Sequence, residues 1–170
     1  MYSIDASALI DGWSRYYPPD VMPTLWERVD NLIANERLLA PEEVLLELKR
    51  GDDDLVVWAK KRRGMFIASD HANEQLLCEL VNRFPAFIPE RSPDGVWADP
   101  YVIALAQKRD AIVVTGEKPA PLNAKSPTIP NVCAALGVQS IGFLDLIRRE
   151  GWRWKRRAGV EGTSMPNRGL

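Results

Sequence analysis

The chain opens Met1-Tyr2-Ser3-Ile4-Asp5-Ala6-Ser7-Ala8-Leu9-Ile10. Residues 1–4 form a short apolar run and read as a buried strand. From Ser7 onward the pattern reads as the start of a helix. Asp5 then stands at the C-terminal edge of the strand, which is where open α/β sheets bind ligands. An aspartate at that place also suits the N-cap of the next helix. Taken alone, it supports both roles.

Outward from this stretch, the pattern predicts many helices and few strands. The first short helix ends at Tyr16-Tyr17-Pro18-Pro19-Asp20. A second begins near Asp20, with Leu25, Trp26, Val29, Leu32 and Ile33 on one face. Residues 37–40 read as a short strand. Pro41 at a first helical position, with Glu42 and Glu43 in the first turn, starts a helix that runs to about Arg50. After Gly51 and the Asp52-Asp53-Asp54 turn, a helix carries Leu55, Val56 and Ala59 inward. It ends in Lys60-Lys61-Arg62-Arg63-Gly64. Another helix spans roughly 69–84, with Leu76, Leu77, Leu80, Val81 and Phe84 as its stripe. Residues 85–99 are irregular and rich in proline. A helix runs from Asp99-Pro100 through Ala106. Residues 111–115, Ala-Ile-Val-Val-Thr, are the best strand: β-branched, continuous and bounded by charge and glycine. A proline-rich loop, a short helix at 131–136, a strand at 138–141 and a helix at 143–149 complete the pattern. The expected architecture is one α/β domain, residues 1–157, with a central, mostly parallel sheet flanked by helices. Residues 158–170 read as a flexible tail.

Composition narrows the class. The 170 residues are 46% hydrophobic and 26% charged, which suits one soluble domain with a real core. No apolar run is long enough to cross a membrane, and no basic region precedes the first apolar stretch as in a secretory signal. Cys78 and Cys133 are too few for a disulfide framework, so a reduced, cytoplasmic protein is expected. The formal net charge of -1 neither demands nor excludes a nucleic-acid partner.

Four acids draw attention: Asp5, Glu47, Asp99 and Glu117. Glu47 lies at the border of the face made by Val44, Leu45 and Leu48, where a solvated flank is the plain alternative. Asp99 is in line with Val102, Ile103 and Ala106. An acid leading a buried face must cap, pair or bind a metal, because an unpaired buried charge is costly. Pro100 favours capping. Glu117 follows the strand at 111–115 by one glycine, at the same kind of edge as Asp5. A turn acid facing water is its alternative reading. Two acids at strand ends and two on adjoining helices converge if those elements share one rim of the sheet. Clustered carboxylates repel one another. A hard divalent cation relieves that repulsion, and Mg²⁺ characteristically takes few carboxylates together with water and substrate phosphate. Such a centre suits phosphodiester hydrolysis.

Three stretches carry a family resemblance: Tyr2-Ser3-Ile4-Asp5-Ala6-Ser7, Ala98-Asp99-Pro100-Tyr101-Val102-Ile103-Ala104-Leu105-Ala106, and Val113-Val114-Thr115-Gly116-Glu117. Between the first two lies Val44-Leu45-Leu46-Glu47-Leu48. In that order they resemble the PIN domain, the superfamily of metal-dependent nucleases that includes VapC-type toxins. With Ile129-Pro130-Asn131-Val132-Cys133 added, the pattern is closer to an uncharacterised PIN-like branch than to a standard VapC.

The resemblance implies a parallel sheet wrapped by helices, Mg²⁺ or Mn²⁺ as cofactor, and cleavage of single-stranded or structured RNA. It also implies a homodimer and, for a toxin, an antitoxin protein that occludes the site. By motif, Asp5, Glu47 and Asp99 match the three core acids. Ser7 and Thr115 match small hydroxyl residues expected to position water or phosphate. Glu117 stands where the family usually has Asp, or Asn followed by Asp. It is expected to hold a metal directly or through water.

The C-terminal Trp152-Arg153-Trp154-Lys155-Arg156-Arg157 alternates rings with cations, a pattern that stacks bases and contacts phosphates. An edge strand or a protein-binding surface also accounts for it. Tyr16-Tyr17-Pro18-Pro19 reads as the lining of a substrate groove or of a partner interface. His71, the only histidine, is expected to be structural or solvent-facing. Two further functions fit the same residues. One is a structure-specific DNA nuclease; the other is a non-catalytic nucleic-acid- or protein-binding PIN-like protein.

Overall fold

A computed structural model describes residues 1–51, 54–88, 97–121 and 123–154. Asp52, Asp53, Lys155, Arg156, Arg157 and the expected tail at 158–170 lie outside the described residues.

Five short strands form one sheet: β1 (Tyr2–Ile4), β2 (Leu38–Pro41), β3 (Phe66–Ile67), β4 (Ile112–Val114) and β5 (Ser140–Ile141). Their order is β3-β2-β1-β4-β5, and every pairing is parallel. Tyr2 lies opposite both Leu38 and Ile112, so β1 is the central strand. The chain steps outward through β2 and β3, then crosses back over β1 to β4 and β5. The C-terminal ends of β1 and β4 therefore flank the point where the strand order reverses, the place where α/β sheets form their binding crevice.

Among the described residues there are eight α-helices. They are α1 (Ala6–Ile10), α2 (Pro23–Ala34), α3 (Glu42–Leu48), α4 (Asp54–Lys60), α5 (His71–Arg83), α6 (Asp99–Arg109), α7 (Ile129–Leu136) and α8 (Phe143–Arg149). α6 lies across β1, β2 and β4, with α5 and α7 alongside it. Val102, Ile103, Ala104, Leu105 and Ala106 are all buried, as suits a helix enclosed on all sides. On β1, Ser3 Oγ donates to the Val102 carbonyl at 2.9 Å. Side chains alternate along a strand, so Tyr2 and Ile4 face the opposite layer. All three are buried, so both faces of the central strand are covered.

The structure departs from the sequence reading in a few places. The strand Phe66–Ile67 falls in a stretch with no predicted element; two residues are too few to show a periodicity. Pro41 is the last residue of β2 and the N-cap of α3, which starts at Glu42. Within α5 only Leu80 of the expected stripe is fully buried, because this helix lies outside α6 rather than on the sheet. α1 also does not simply stop. It widens into a π-helical turn, Asp11–Tyr16. Gly12 in this turn packs against Phe143: a Cβ there would lie 3.0 Å from its ring. The high tryptophan count is also explained in part. Trp13, Trp26 and Trp58 touch one another, with ring centroids 4.6 to 5.5 Å apart.

Candidate active site

Asp5 leaves β1 as the N-cap of α1. Its Oδ1 accepts the Ala8 N–H at 2.7 Å. Its Oδ2 accepts two hydroxyls, Ser7 Oγ at 2.6 Å and Thr115 Oγ1 at 2.7 Å. Ser7 comes from α1, and Thr115 follows β4. Asp5 therefore ties together the ends of the two strands at the switch point. Capping and site membership coincide in one carboxylate. Ser7 Oγ in turn accepts the Gly116 N–H at 3.0 Å, and Thr115 Oγ1 accepts the Glu117 N–H at 3.1 Å. Both hydroxyl protons are committed to Asp5. The two residues brace that aspartate rather than presenting free hydroxyls to water or phosphate.

Gly116 sits where α1 and the loop after β4 come together. A Cβ there would lie 2.7 Å from Asp11 Oδ2 and 3.0 Å from Ser7 Oγ. Asp11 is thus a fifth acid at this rim, paired with Arg15 at 2.8 Å. The sequence reading passed over it. Its approach depends on the fold of the π-helical turn, which leaves no local signal.

Asp99 is the first residue of α6, and its N-cap is Ala98, which has no side-chain cap bond. The Asp99 carboxylate therefore does not cap its own helix, as Pro100 had suggested. Its Oδ2 accepts the Trp97 indole N–H at 2.9 Å. Glu47, on α3, is not a solvated flank. Its Oε1 accepts the Ala98 N–H at 2.9 Å and reaches the first turn of α6. Glu117 crosses to α7, where its Oε2 accepts the Ile129 N–H at 2.8 Å. Asp99, Glu47 and Glu117 thus each use one carboxylate oxygen for positioning. Among the described residues, the other oxygen of each makes no hydrogen bond.

The electrostatics join these side chains into one group. Burial pushes Asp5 up to about 6, against the three hydrogen bonds that favour its charged form; Glu117 adds to the rise. Burial also pushes Asp99 up to about 7, followed by repulsion from Glu117, and the nearby charges of Asp5 and Glu47 contribute as well. Asp99 thus feels the charge of each of the other three predicted acids. Among the described residues, no lysine or arginine is ion-paired with any of the four.

The donor set suits a hard divalent cation: carboxylate oxygens in excess negative charge, with no compensating cation among the described residues. Among the described residues no three His, Cys, Asp or Glu side chains close into a metal-binding group. Mg²⁺ does not require one, since it characteristically keeps several waters and takes one or two carboxylates. Asp5, Asp99, Glu47 and Glu117 are the residues that would hold such an ion.

The basic C-terminal segment is placed differently. Trp152 packs against the core. Trp154 Nε1 donates to Thr24 Oγ1 at 3.0 Å, and the Arg28 guanidinium lies over the same ring at 5.4 Å. Trp152 is thus set into the domain, whereas the Trp154 ring stays 43% exposed at the surface. His71 is exposed at the start of α5, as expected. No helix among the described residues is long and apolar enough to cross a membrane.

Comparison with curated proteins gives no match. Among solved structures, the chain is similar to the crystal structure of FitAcB from Neisseria gonorrhoeae. The identity is 15%, the TM-score 0.51, and the alignment covers 83% of this chain and 96% of that one. It also aligns with PAE2754 from Pyrobaculum aerophilum at 17% identity and a TM-score of 0.45, over 89% of this chain and 97% of that one. The five-stranded parallel sheet with its flanking helices matches a PIN-like fold. A family model matches residues 2–154, nearly the whole described chain, and the protein belongs to that family, the Domain of unknown function (DUF4411).

Proposed function

We propose that this protein is a Mg²⁺- or Mn²⁺-dependent endoribonuclease that hydrolyses RNA phosphodiester bonds, acting as the toxin of a toxin–antitoxin pair. The observation that carries this reading is the acidic rim itself. Asp5 is buried and Asp99 half-buried, both are raised toward neutrality, Glu47 and Glu117 stand beside them, and no cation pairs with any of the four among the described residues. A set of charges that costs the folded chain energy suits a site whose ligand brings the compensating charge.

When bound, the ion supplies Lewis acidity at a phosphoryl oxygen and makes a water more acidic near neutral pH. The protein's own contribution is positioning. Ser7, Thr115 and the Ala8 N–H hold Asp5 rigid, so its orientation does not depend on a ligand. Trp97 holds one oxygen of Asp99 and leaves the other for binding. Glu47 and Glu117 are each anchored through one oxygen and offer the second. No histidine takes part: His71, the only one in the chain, is exposed on α5.

The toxin role, the antitoxin partner and a homodimer rest on the sequence resemblance, and a cytoplasmic location rests on the cysteine content. The similarity to FitAcB supports the toxin reading. An antitoxin on this reading is a protein that covers the Asp5–Asp99 rim.

The deciding experiment treats the purified full chain with EDTA, then adds Mn²⁺ in the presence of labelled single-stranded RNA, hairpin RNA and matched DNA. Cleavage of RNA that Asp5→Asn abolishes, with the fold retained by circular dichroism, is the expected result. Cleavage confined to DNA assigns a DNA nuclease instead. No cleavage of either substrate assigns a binding protein.

A further inference from the structure

A cleft of about 310 Å³ opens beside the acidic rim, between Tyr16 and Tyr17 on one wall and Thr115, Gly116, Lys118 and Arg148 on the other. We propose that it is a nucleotide subsite, taking one base and its phosphate next to the scissile position. This rests on the nuclease reading only for its role in cleavage; the binding stands on the cleft's own geometry.

Three features support it. First, the aromatic wall ends in an open ring. Phe143 is buried, Tyr17 stacks on it at 5.7 Å with planes 27° apart, and Tyr16 meets Tyr17 at 6.2 Å with planes tilted by 55°. Tyr16 is 62% exposed. Its ring has no further aromatic neighbour among the described residues, so it leaves room for one more stacked ring. Second, the cations are available. Lys118 is exposed and has no ion-pair partner among the described residues. Among the described residues Arg148 is ion-paired with Asp145 alone, an exposed contact at 3.1 Å of little energetic weight, and Asp145 lies in the same lining, so a phosphate shares the guanidinium with it. Asp11, also in the lining, is neutralised by Arg15. Third, the cleft adjoins the centre, because Thr115 lines it and donates to Asp5 at 2.7 Å. Its volume lies at the lower end of the roughly 300–1,000 Å³ typical of small-ligand sites, which suits one nucleotide.

The test measures binding of adenosine and uridine 5′-monophosphate to the full chain in EDTA by titration calorimetry. Both nucleotides are expected to bind, because stacking on a tyrosine tolerates any base. Tyr16→Ala is expected to weaken binding roughly 5- to 100-fold, the span of base–aromatic stacking, and Tyr16→Phe to restore it. Lys118→Ala is expected to weaken binding and reduce its salt dependence, while Lys60→Ala on α4 leaves it unchanged. If neither nucleotide binds, or if Tyr16→Ala and Lys118→Ala bind like the wild type, the subsite is refuted, whether or not the chain cleaves RNA. If the variants lose nucleotide binding but the chain shows no Asp5-dependent cleavage, the subsite stands and the hydrolytic reading fails.

Discussion

Glu47 Oε1 accepts the N–H of Ala98 at 2.9 Å, so an acid on α3 is bonded to the backbone immediately before Asp99. One bond fixes the start of α6 and brings two acids from distant parts of the chain to the same rim. Glu47→Ala leaves the Ala98 N–H without its acceptor. Losing such a bond at a partly buried donor costs about 1–3 kcal/mol. For a chain of this length that lowers the melting temperature by several degrees. Glu47→Gln keeps an acceptor oxygen and is expected to melt close to the wild type while losing metal-dependent activity. A thermal melt of both variants in EDTA checks the first part. Equal melting of Glu47→Ala and wild type would show that the bond has no structural weight.

The second prediction concerns pH. Asp5 titrates at about 6 and Asp99 at about 7 in the folded chain, against ordinary values near 3.8. A raised carboxyl pKa favours the protonated folded state. The resulting stability is full below about pH 4 and is lost as pH rises through 6 to 7. In metal-free solution, Asp99→Asn is therefore expected to melt higher than the wild type at pH 8, with the difference gone by pH 4. Added Mg²⁺ or Mn²⁺ is expected to raise the wild-type melting temperature at pH 8, much less at pH 5, and not to stabilise Asp5→Asn. Scanning calorimetry at the three pH values reads all of this. A wild type that melts highest at pH 8 relative to Asp99→Asn would contradict the assigned burial cost.

How much of this was visible in the sequence depends on how locally each feature is encoded. Strand β4 is a continuous apolar run and β1 is apolar but for Ser3; they end at Thr115-Gly116-Glu117 and at Asp5, so strand and acid appear together. Glu47 and Asp99 were recognisable as acids at the margin of buried faces, but their partners were not. The bonds to Ala98 and Trp97 depend on how the irregular stretch before α6 meets α3. Asp11 was missed because it reaches Gly116 from the π-helical turn, a widening of α1 that has no periodicity of its own in the sequence. The alternation of Trp152 and Trp154 with cations describes the segment alone, whereas Thr24 and Arg28 on α2 decide where the Trp154 ring goes.

Thr115 supports a third prediction. Its hydroxyl lowers the pKa of Asp5 by donating to Oδ2. Thr115→Val keeps the shape and removes that donor, so Asp5 is expected to titrate higher still. On the nuclease reading, the rising limb of the pH–rate profile moves to higher pH, while Thr115→Ser leaves it in place. An unshifted limb in Thr115→Val would mean that Asp5 ionisation does not control the rate.

Glu117 gives the last prediction, because its longer side chain has a use that aspartate would lose. Its Oε2 accepts the Ile129 N–H at 2.8 Å and joins the end of β4 to the start of α7 across the loop between them. Thr128 and Asn131 close the same helix end with a reciprocal capping box. An aspartate is one methylene shorter and does not span the distance, whereas glutamine keeps an acceptor of the same reach. Amide hydrogen exchange separates the two: Glu117→Asp is expected to speed exchange at Ile129, and Glu117→Gln to leave it slow. Charge follows the opposite pattern. Glu117→Gln removes the largest charge repulsion on Asp99, so it is expected to bring Asp99 down toward the ordinary range and weaken Mn²⁺ binding. Fast Ile129 exchange in both variants would show that the charge of Glu117, rather than its reach, holds the loop.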